Sequence, residues 1–109
     1  MLSKSRYCSF VQCPKILWLK VNRPELAEKD NSAEARMDIG NTIGGLARQL
    51  FGDPVNVTAY NPDGGLDLSK MVDDTMDLVN SGEPVIAEAS FYYIGNYCAV
   101  DILKREGDG

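Results

Sequence analysis

Two acidic side chains, Glu88 and Asp101, lie in two runs of β-branched, aromatic and small apolar residues within the 109-residue chain. A Gly95-Asn96 dipeptide separates the two runs, and this arrangement predicts a β-hairpin over residues 83–105. Carboxylates that face each other on neighbouring strands repel, so an ordinary strand pair avoids them. Oxygen ligands on neighbouring strands are also what a hard divalent cation such as Mg²⁺ binds. The pair is therefore the main candidate for metal binding and catalysis.

The register of the predicted hairpin decides which residue faces Asp101. A two-residue loop at Ile94 and Gly95 would set Glu88 directly across from it. A loop one residue later would instead set Ser90 there. In either register the alternation of side chains along a strand directs Glu88 and Asp101 to the same face of the sheet.

Other residue types that carry chemistry are few. The chain has no histidine, which excludes a Ser-His-Asp or Cys-His mechanism within it. Three cysteines without a Cys-x-x-Cys spacing predict neither a disulfide framework nor a complete zinc site; they are Cys8, Cys13 and Cys98. A second acidic group is formed by Asp73, Asp74 and Asp77. Because carboxylates along a helix surface rarely converge, a solvated face is favoured over a metal site there.

Composition is that of an ordinary globular domain, with 44% hydrophobic and 25% charged residues. The net charge of −5 argues against a generally basic nucleic-acid-binding surface. A local basic patch is the alternative, and scattered solvated charges explain its candidate residues equally well. These candidates are Lys4, Arg6, Lys15, Lys20 and Arg23.

The chain carries no pattern typical of a membrane or secreted protein. No apolar run approaches the roughly 20 residues that span a bilayer. Lys4, Arg6 and Gln12 interrupt the apolar residues that a signal peptide would need. We therefore expect a cytoplasmic protein with no membrane partner.

Hydrophobic periodicity and turn residues predict a single α+β domain over residues 1–109. Four helices are expected, over 4–11, 14–21, 32–51 and 67–80. An edge strand is expected over 54–60, because a proline begins this alternating segment. The predicted architecture is a set of helices packed on a small, mostly antiparallel sheet with a C-terminal β-hairpin.

The long predicted helix, for which Ser32 is the expected N-cap, carries a broad apolar stripe. We expect this stripe and the apolar residues 16–19 to lie in the core. Gly40, Gly44 and Gly45 also lie in this helix, where each costs about 1 kcal/mol relative to alanine. Close packing of the helix against the sheet would explain them, and an approach path for a ligand is the alternative.

Several segments resemble a known family. Residues 2–7 (LSKSRY) and 12–19 (QCPKILWL) look like the "LSKSR…QCPKRLWL" opening of a bacterial family of unknown function, whose members carry a RecB-like nuclease core of the PD-(D/E)XK superfamily. The same opening is similar to that of CRISPR-associated RecB-like exonucleases. The resemblance continues through the glycine-containing helix and ends at residues 88–91 (EASF) and 100–105 (VDILKR), so it covers nearly the whole chain.

This resemblance implies the N-terminal fragment of a Mg²⁺- or Mn²⁺-dependent DNA nuclease. Asp101 matches the metal-binding aspartate of the superfamily. Glu88, on the other strand of the hairpin, is the second residue that we expect to bind the metal and to take part in catalysis. In such proteins the next strand supplies a Glu-x-Lys, which does not follow Asp101 in this chain. We therefore expect the chain to be inactive alone, with DNA and the C-terminal remainder of the polypeptide as its partners. The Gly-Asp-Gly ending at 107–109 predicts a turn into that missing strand.

The chain also departs from the related exonucleases. Their helix carries a metal-binding histidine where this sequence reads Gly40 to Gly44 without one. Their opening cysteine, matched by Cys13, joins three further cysteines around an iron-sulfur cluster, which needs four thiolates. Cys13 is the only match, so the sequence argues against a cluster in this chain. The alternative functions are a non-catalytic nucleic-acid- or protein-binding domain on a nuclease framework, and an interaction module with an exposed strand edge.

Overall fold

The computed structural model describes residues 1–28 and 30–107. In these residues four α-helices are present: α1 (Lys4–Gln12), α2 (Pro14–Asn22), α3 (Asn31–Gln49) and α4 (Leu68–Ser81). The four strands are β1 (Leu2–Ser3), β2 (Val55–Asn56), β3 (Val85–Tyr93) and β4 (Asn96–Lys104). A short 3₁₀ turn, Pro24–Leu26, follows α2. The predicted α+β class and C-terminal hairpin are confirmed.

The strands form one mixed sheet in the order β1-β4-β3-β2. The hairpin strands β3 and β4 are antiparallel over eight residue pairs. The two short outer strands are parallel to their neighbours, with two pairs each. Helix α4 connects β2 to β3, as parallel neighbours require a crossover. The strand predicted over 54–60 is an edge strand as expected, but it is shorter than predicted.

A two-residue turn at Ile94 and Gly95 joins the strands of the hairpin. Both residues have positive φ, 44° and 74°, which is the signature of a type I′ turn. Such a turn twists in the same sense as the strands it joins. Of the two registers that the sequence allows, the structure therefore has the one with the loop at Ile94 and Gly95.

The ends of the helices follow from capping residues. Asp67 caps α4 by accepting a hydrogen bond from the Lys70 N–H, and Gly82 ends this helix with φ of 84°. The N-cap of α3 is Asp30 rather than the predicted Ser32. Asp30 accepts bonds from both the backbone N–H and the hydroxyl of Ser32, and these bonds hold its pKa below the usual value. Both aspartate and serine are good N-cap residues. The observed N-cap lies two residues before the predicted one.

The core lies between α4 and the central strands. Its buried apolar residues are Val57, Ile86 and Ala89, and Leu78 and Val79 of α4 pack against them. Helix α4 is amphipathic as predicted, because Met71 and Thr75 are buried while Asp73 and Asp77 are exposed.

Neither α2 nor α3 has a fully buried residue. In α2, Ile16, Leu17 and Leu19 are half-buried, whereas the expectation that the stripe of α3 lies in the core is wrong. Trp18 of α2 is 57% exposed. The large residues of the apolar stripe are each more than half exposed; they are Met37, Ile39, Ile43 and Leu46 of α3, and Leu50 at its C-cap. A side chain added at Gly40, Gly44 or Gly45 would meet nothing within 4 Å, so close packing does not explain these glycines. An amphipathic pattern identifies the face that can be buried, but it does not require that anything in the same chain covers that face.

None of the helices that the structure describes is long and apolar enough to cross a membrane.

Candidate metal centre

Glu88 and Asp101 occupy facing positions in the middle of the hairpin. The residue pairs Ala87↔Ile102 and Ala89↔Val100 lie on either side of them, and both pairs belong to the same strand register. Glu88 and Asp101 themselves do not form a pair in the ladder. The register predicted from the turn at Ile94 and Gly95 is therefore correct, but the backbone pairing is interrupted at the two acids.

The interruption has a local cause at Glu88, whose φ is 58°. A left-handed backbone at a residue with a Cβ costs about 1–2 kcal/mol. Because the pairing offset is the same before and after Glu88, no residue is inserted, and the distortion differs from a β-bulge. We call it the Glu88 kink. It removes the regular alternation on which the prediction of a common face for the two carboxylates depends.

Buried hydroxyl groups stabilise the backbone next to the kink. Thr75 Oγ1 of α4 accepts a hydrogen bond from the Ser90 N–H at 2.9 Å, and it donates one to the Met71 carbonyl at 2.7 Å. Ser90 Oγ donates to the carbonyl oxygen of Glu88 itself at 3.0 Å. Thr75 and Ser90 are both fully buried. Their hydrogen bonds offset part of the cost of the kink, since a buried polar group without a partner would be unfavourable.

The carboxylate of Glu88 is paired with a cation from another element. Arg48 Nη2, in the last turn of α3, lies 2.6 Å from Glu88 Oε1. The side chain of Arg48 is 36% exposed and that of Glu88 is 28% exposed. The guanidinium therefore neutralises one of the two facing acids.

Asp101 has different surroundings. Asp101 is exposed to solvent, and within residues 1–28 and 30–107 its carboxylate makes no hydrogen bond or ion pair. The nearby cation Lys104 pairs with a different acid, because its Nζ lies 3.6 Å from Glu106 Oε1. The structure thus brings the two acids to facing positions and leaves one of them open to solvent.

The two carboxylates fit a hydrated Mg²⁺ or Mn²⁺ ion in chemical type, since both offer hard oxygen donors. Mg²⁺ usually keeps several waters and binds through one or two protein carboxylates. They do not form a closed cage: the described part of the chain holds no group of three or more His, Cys, Asp or Glu able to bind a metal ion. Any ion bound here would therefore take its remaining ligands from water, from a phosphate or from another segment.

The candidate cluster ligand Cys13 is half-buried at the junction of α1 and α2. Cys8 and Cys98 are exposed, and all three thiols are free. The described residues bring no four-thiolate set together around Cys13.

The outer edge of β4 is open beyond its first two residues. β1 pairs only with Asn96 and Tyr97, and no other described strand pairs with that edge from residue 98 to residue 104. Asp101 lies within this open stretch. An unpaired strand edge of this kind can accept a further strand.

The proposed basic patch is only partly free. Arg6 donates to the Met1 carbonyl at 2.8 Å, and Lys20 donates to Ser9 Oγ at 3.0 Å. Arg23 forms an ion pair with Glu25. Because three of the five candidate residues have partners within the chain, the structure favours the interpretation of scattered charges.

Two residues of the site were missed by sequence analysis. Arg48 reaches Glu88 across 40 positions, and no local pattern predicts such a contact. Thr75 did have a signal, because it is a polar residue within the apolar face of an amphipathic helix. A hydroxyl there must find a partner if the face is buried.

Comparisons of the chain with protein-family models, curated proteins and solved structures found no match.

Proposed function

We propose that this chain is the N-terminal portion of a Mg²⁺- or Mn²⁺-dependent DNA nuclease, with Glu88 and Asp101 as two of its metal ligands. The observation that supports this most is their facing position on adjacent strands, at a strained break in the ladder. Strained backbone is concentrated at functional sites.

Each part of the chain has a specific role in this proposal. Asp101, being exposed, can bind a hydrated ion without rearrangement. Glu88 supplies the second carboxylate from β3. The bound ion would polarise the phosphodiester and stabilise negative charge that grows on its oxygens. The resemblance implies that a Glu-x-Lys strand supplies a further metal-binding acid and a lysine, and the open edge of β4 beside Asp101 offers that strand a place to pair. The chain alone would be inactive.

A second function is favoured by the Arg48–Glu88 ion pair. A non-catalytic binding domain needs no metal, and in it Arg48 would neutralise Glu88 permanently. The two functions differ in whether a divalent ion binds between β3 and β4.

Mn²⁺ titration followed by NMR separates the two functions. Mn²⁺ at substoichiometric concentration should broaden the backbone amide signals around Glu88 and Asp101 selectively. Asp101→Asn and Glu88→Gln should each abolish this broadening. Asp73→Asn with Asp77→Asn is the matched control, because it removes two exposed acids of α4 and should leave the hairpin broadening unchanged.

Absence of selective changes at millimolar Mg²⁺ or Mn²⁺ would favour the non-catalytic domain. A nuclease assay then tests the catalytic step. A longer chain that carries a Glu-x-Lys after β4 should cleave DNA in the presence of Mg²⁺, and Asp101→Asn should abolish cleavage. The 109-residue chain should be inactive in the same assay.

A further inference from the structure

Arg48 provides the polar connection between α3 and the sheet. Its contact with Glu88 is the only side-chain hydrogen bond or ion pair that joins these elements among the described residues. The remaining side-chain hydrogen bonds of α3 lie within the helix or reach Asp30 at its N-cap. The C-terminal end of α3 is therefore fixed to β3 mainly through one guanidinium.

Apolar packing does little to replace this connection. The large apolar residues of α3 are each at least 57% exposed. The residues with intermediate burial are confined to the end of the helix that carries Arg48; they are Gly44, Gly45, Ala47 and Arg48. An element with little buried apolar surface has low local stability, so the loss of one ion pair can change its position or its protection.

Glu88 is also the acid that would bind the metal ion. A divalent cation on the Glu88 carboxylate would repel the guanidinium, because both carry positive charge and would compete for the same oxygens. We propose that Arg48 is a latch: without metal it neutralises Glu88 and fixes α3 to β3, and a divalent ion at Glu88 displaces it and releases the end of α3. This inference rests on the proposed function, because it needs the ion to bind at Glu88.

Coupling of this kind acts in both directions. If the metal weakens the Arg48 contact, then removal of Arg48 must strengthen metal binding by the same factor. A partly exposed ion pair contributes little, so the expected gain is roughly two- to fivefold in Kd. Arg48→Lys keeps the positive charge, so it should bind metal with a Kd within about twofold of the wild-type value. Arg36→Ala is the matched control, because Arg36 lies on the same helix but pairs with Asp30.

The test combines Mn²⁺ binding measured by electron paramagnetic resonance with hydrogen exchange of α3 amides. In EDTA, amides 44–50 should exchange roughly two- to fivefold faster in Arg48→Ala than in the wild type. Mg²⁺ should accelerate exchange of these amides in the wild type and in Arg36→Ala. It should have no effect on them in Arg48→Ala, where the latch is already absent.

The outcomes separate the latch from the metal site. Equal Mn²⁺ affinity in the wild type and Arg48→Ala, or α3 exchange that Mg²⁺ does not change, overturns the latch and leaves the metal site standing. Failure of every variant to bind Mn²⁺ overturns the proposed function, and metal-driven release with it. Tighter binding in Arg48→Ala together with Mg²⁺-accelerated exchange in the wild type supports both.

Discussion

Substitution of Glu88 by glycine tests the strained backbone at the candidate site. With φ of 58°, Glu88 has a conformation that glycine adopts without steric cost. Both Glu88→Gly and Glu88→Ala lose the ion pair with Arg48, which contributes up to about 1 kcal/mol. The two variants therefore differ mainly in whether a Cβ is present at the kink.

The expected difference follows from two opposing effects. Removing the Cβ relieves about 1–2 kcal/mol of left-handed strain. Glycine also loses more backbone entropy on folding than alanine, which costs about 0.5–1 kcal/mol. The net expectation is that Glu88→Gly is more stable than Glu88→Ala by about 0.5–1 kcal/mol. For a domain of this size, that is a difference of roughly 2–4 °C in Tm.

Thermal unfolding and urea unfolding, both followed by circular dichroism, measure this difference. The facing position provides the control: Asp101 is not among the residues with positive φ. There the order should reverse, with Asp101→Ala more stable than Asp101→Gly by about 0.5–1 kcal/mol. If Glu88→Ala is as stable as Glu88→Gly while the order at Asp101 is as expected, the left-handed kink is not present in solution.

Three further predictions concern the surroundings of the kink and the start of α3. Thr75→Val should destabilise the chain by about 1–3 kcal/mol in urea unfolding, because it leaves a buried N–H of β3 without an acceptor, whereas Thr75→Ser should retain most of the stability. A double-mutant cycle of Arg48→Ala with Glu88→Gln should give a coupling energy of about 0.5–1 kcal/mol at low salt, and strictly additive effects would contradict the ion pair. Hydrogen bonds from Ser32 lower the pKa of Asp30, so its capping contribution is present above the unfolded pKa and is lost as pH falls through the lower folded value. An NMR titration of the Asp30 carboxyl should therefore give a midpoint below that of the same residue in an unfolded peptide, and a midpoint at or above the unfolded one would contradict the cap.

Local signals in the sequence were enough to predict most of the elements. Gly82 and Asp67 bound α4 through well-understood capping preferences, and Pro14 begins α2 at the position where its missing N–H has no cost. Gly95 limited the hairpin to two registers, because a turn with positive φ at both central residues favours glycine. Each of these predictions depends on residues within a few positions of one another.

The errors concern contacts between distant segments. The apolar stripe of α3 predicted a buried helix, but periodicity does not show what covers a face. The ion pair between Arg48 and Glu88 joins residues 40 positions apart, and neither residue type indicates the other in the sequence. Tertiary contacts of this kind are set by the path of the whole chain.

The least regular residue of the hairpin is also the one with the most functional interest. Glu88 faces another acid, Asp101, at a break in the ladder, although facing positions usually carry unlike charges. Its positive φ also departs from the right-handed or extended backbone that residues with a Cβ prefer. The structure offsets both with groups from other elements: Arg48 neutralises the charge, and Thr75 and Ser90 bond the backbone. Functional sites typically contain residues that depart from local sequence–structure preferences and are stabilised by groups from other elements. If the hairpin were only structural, glycine at position 88 would relieve the strain and remove one of the two facing acids. The presence of Glu88 with this support favours a role for its carboxylate beyond folding.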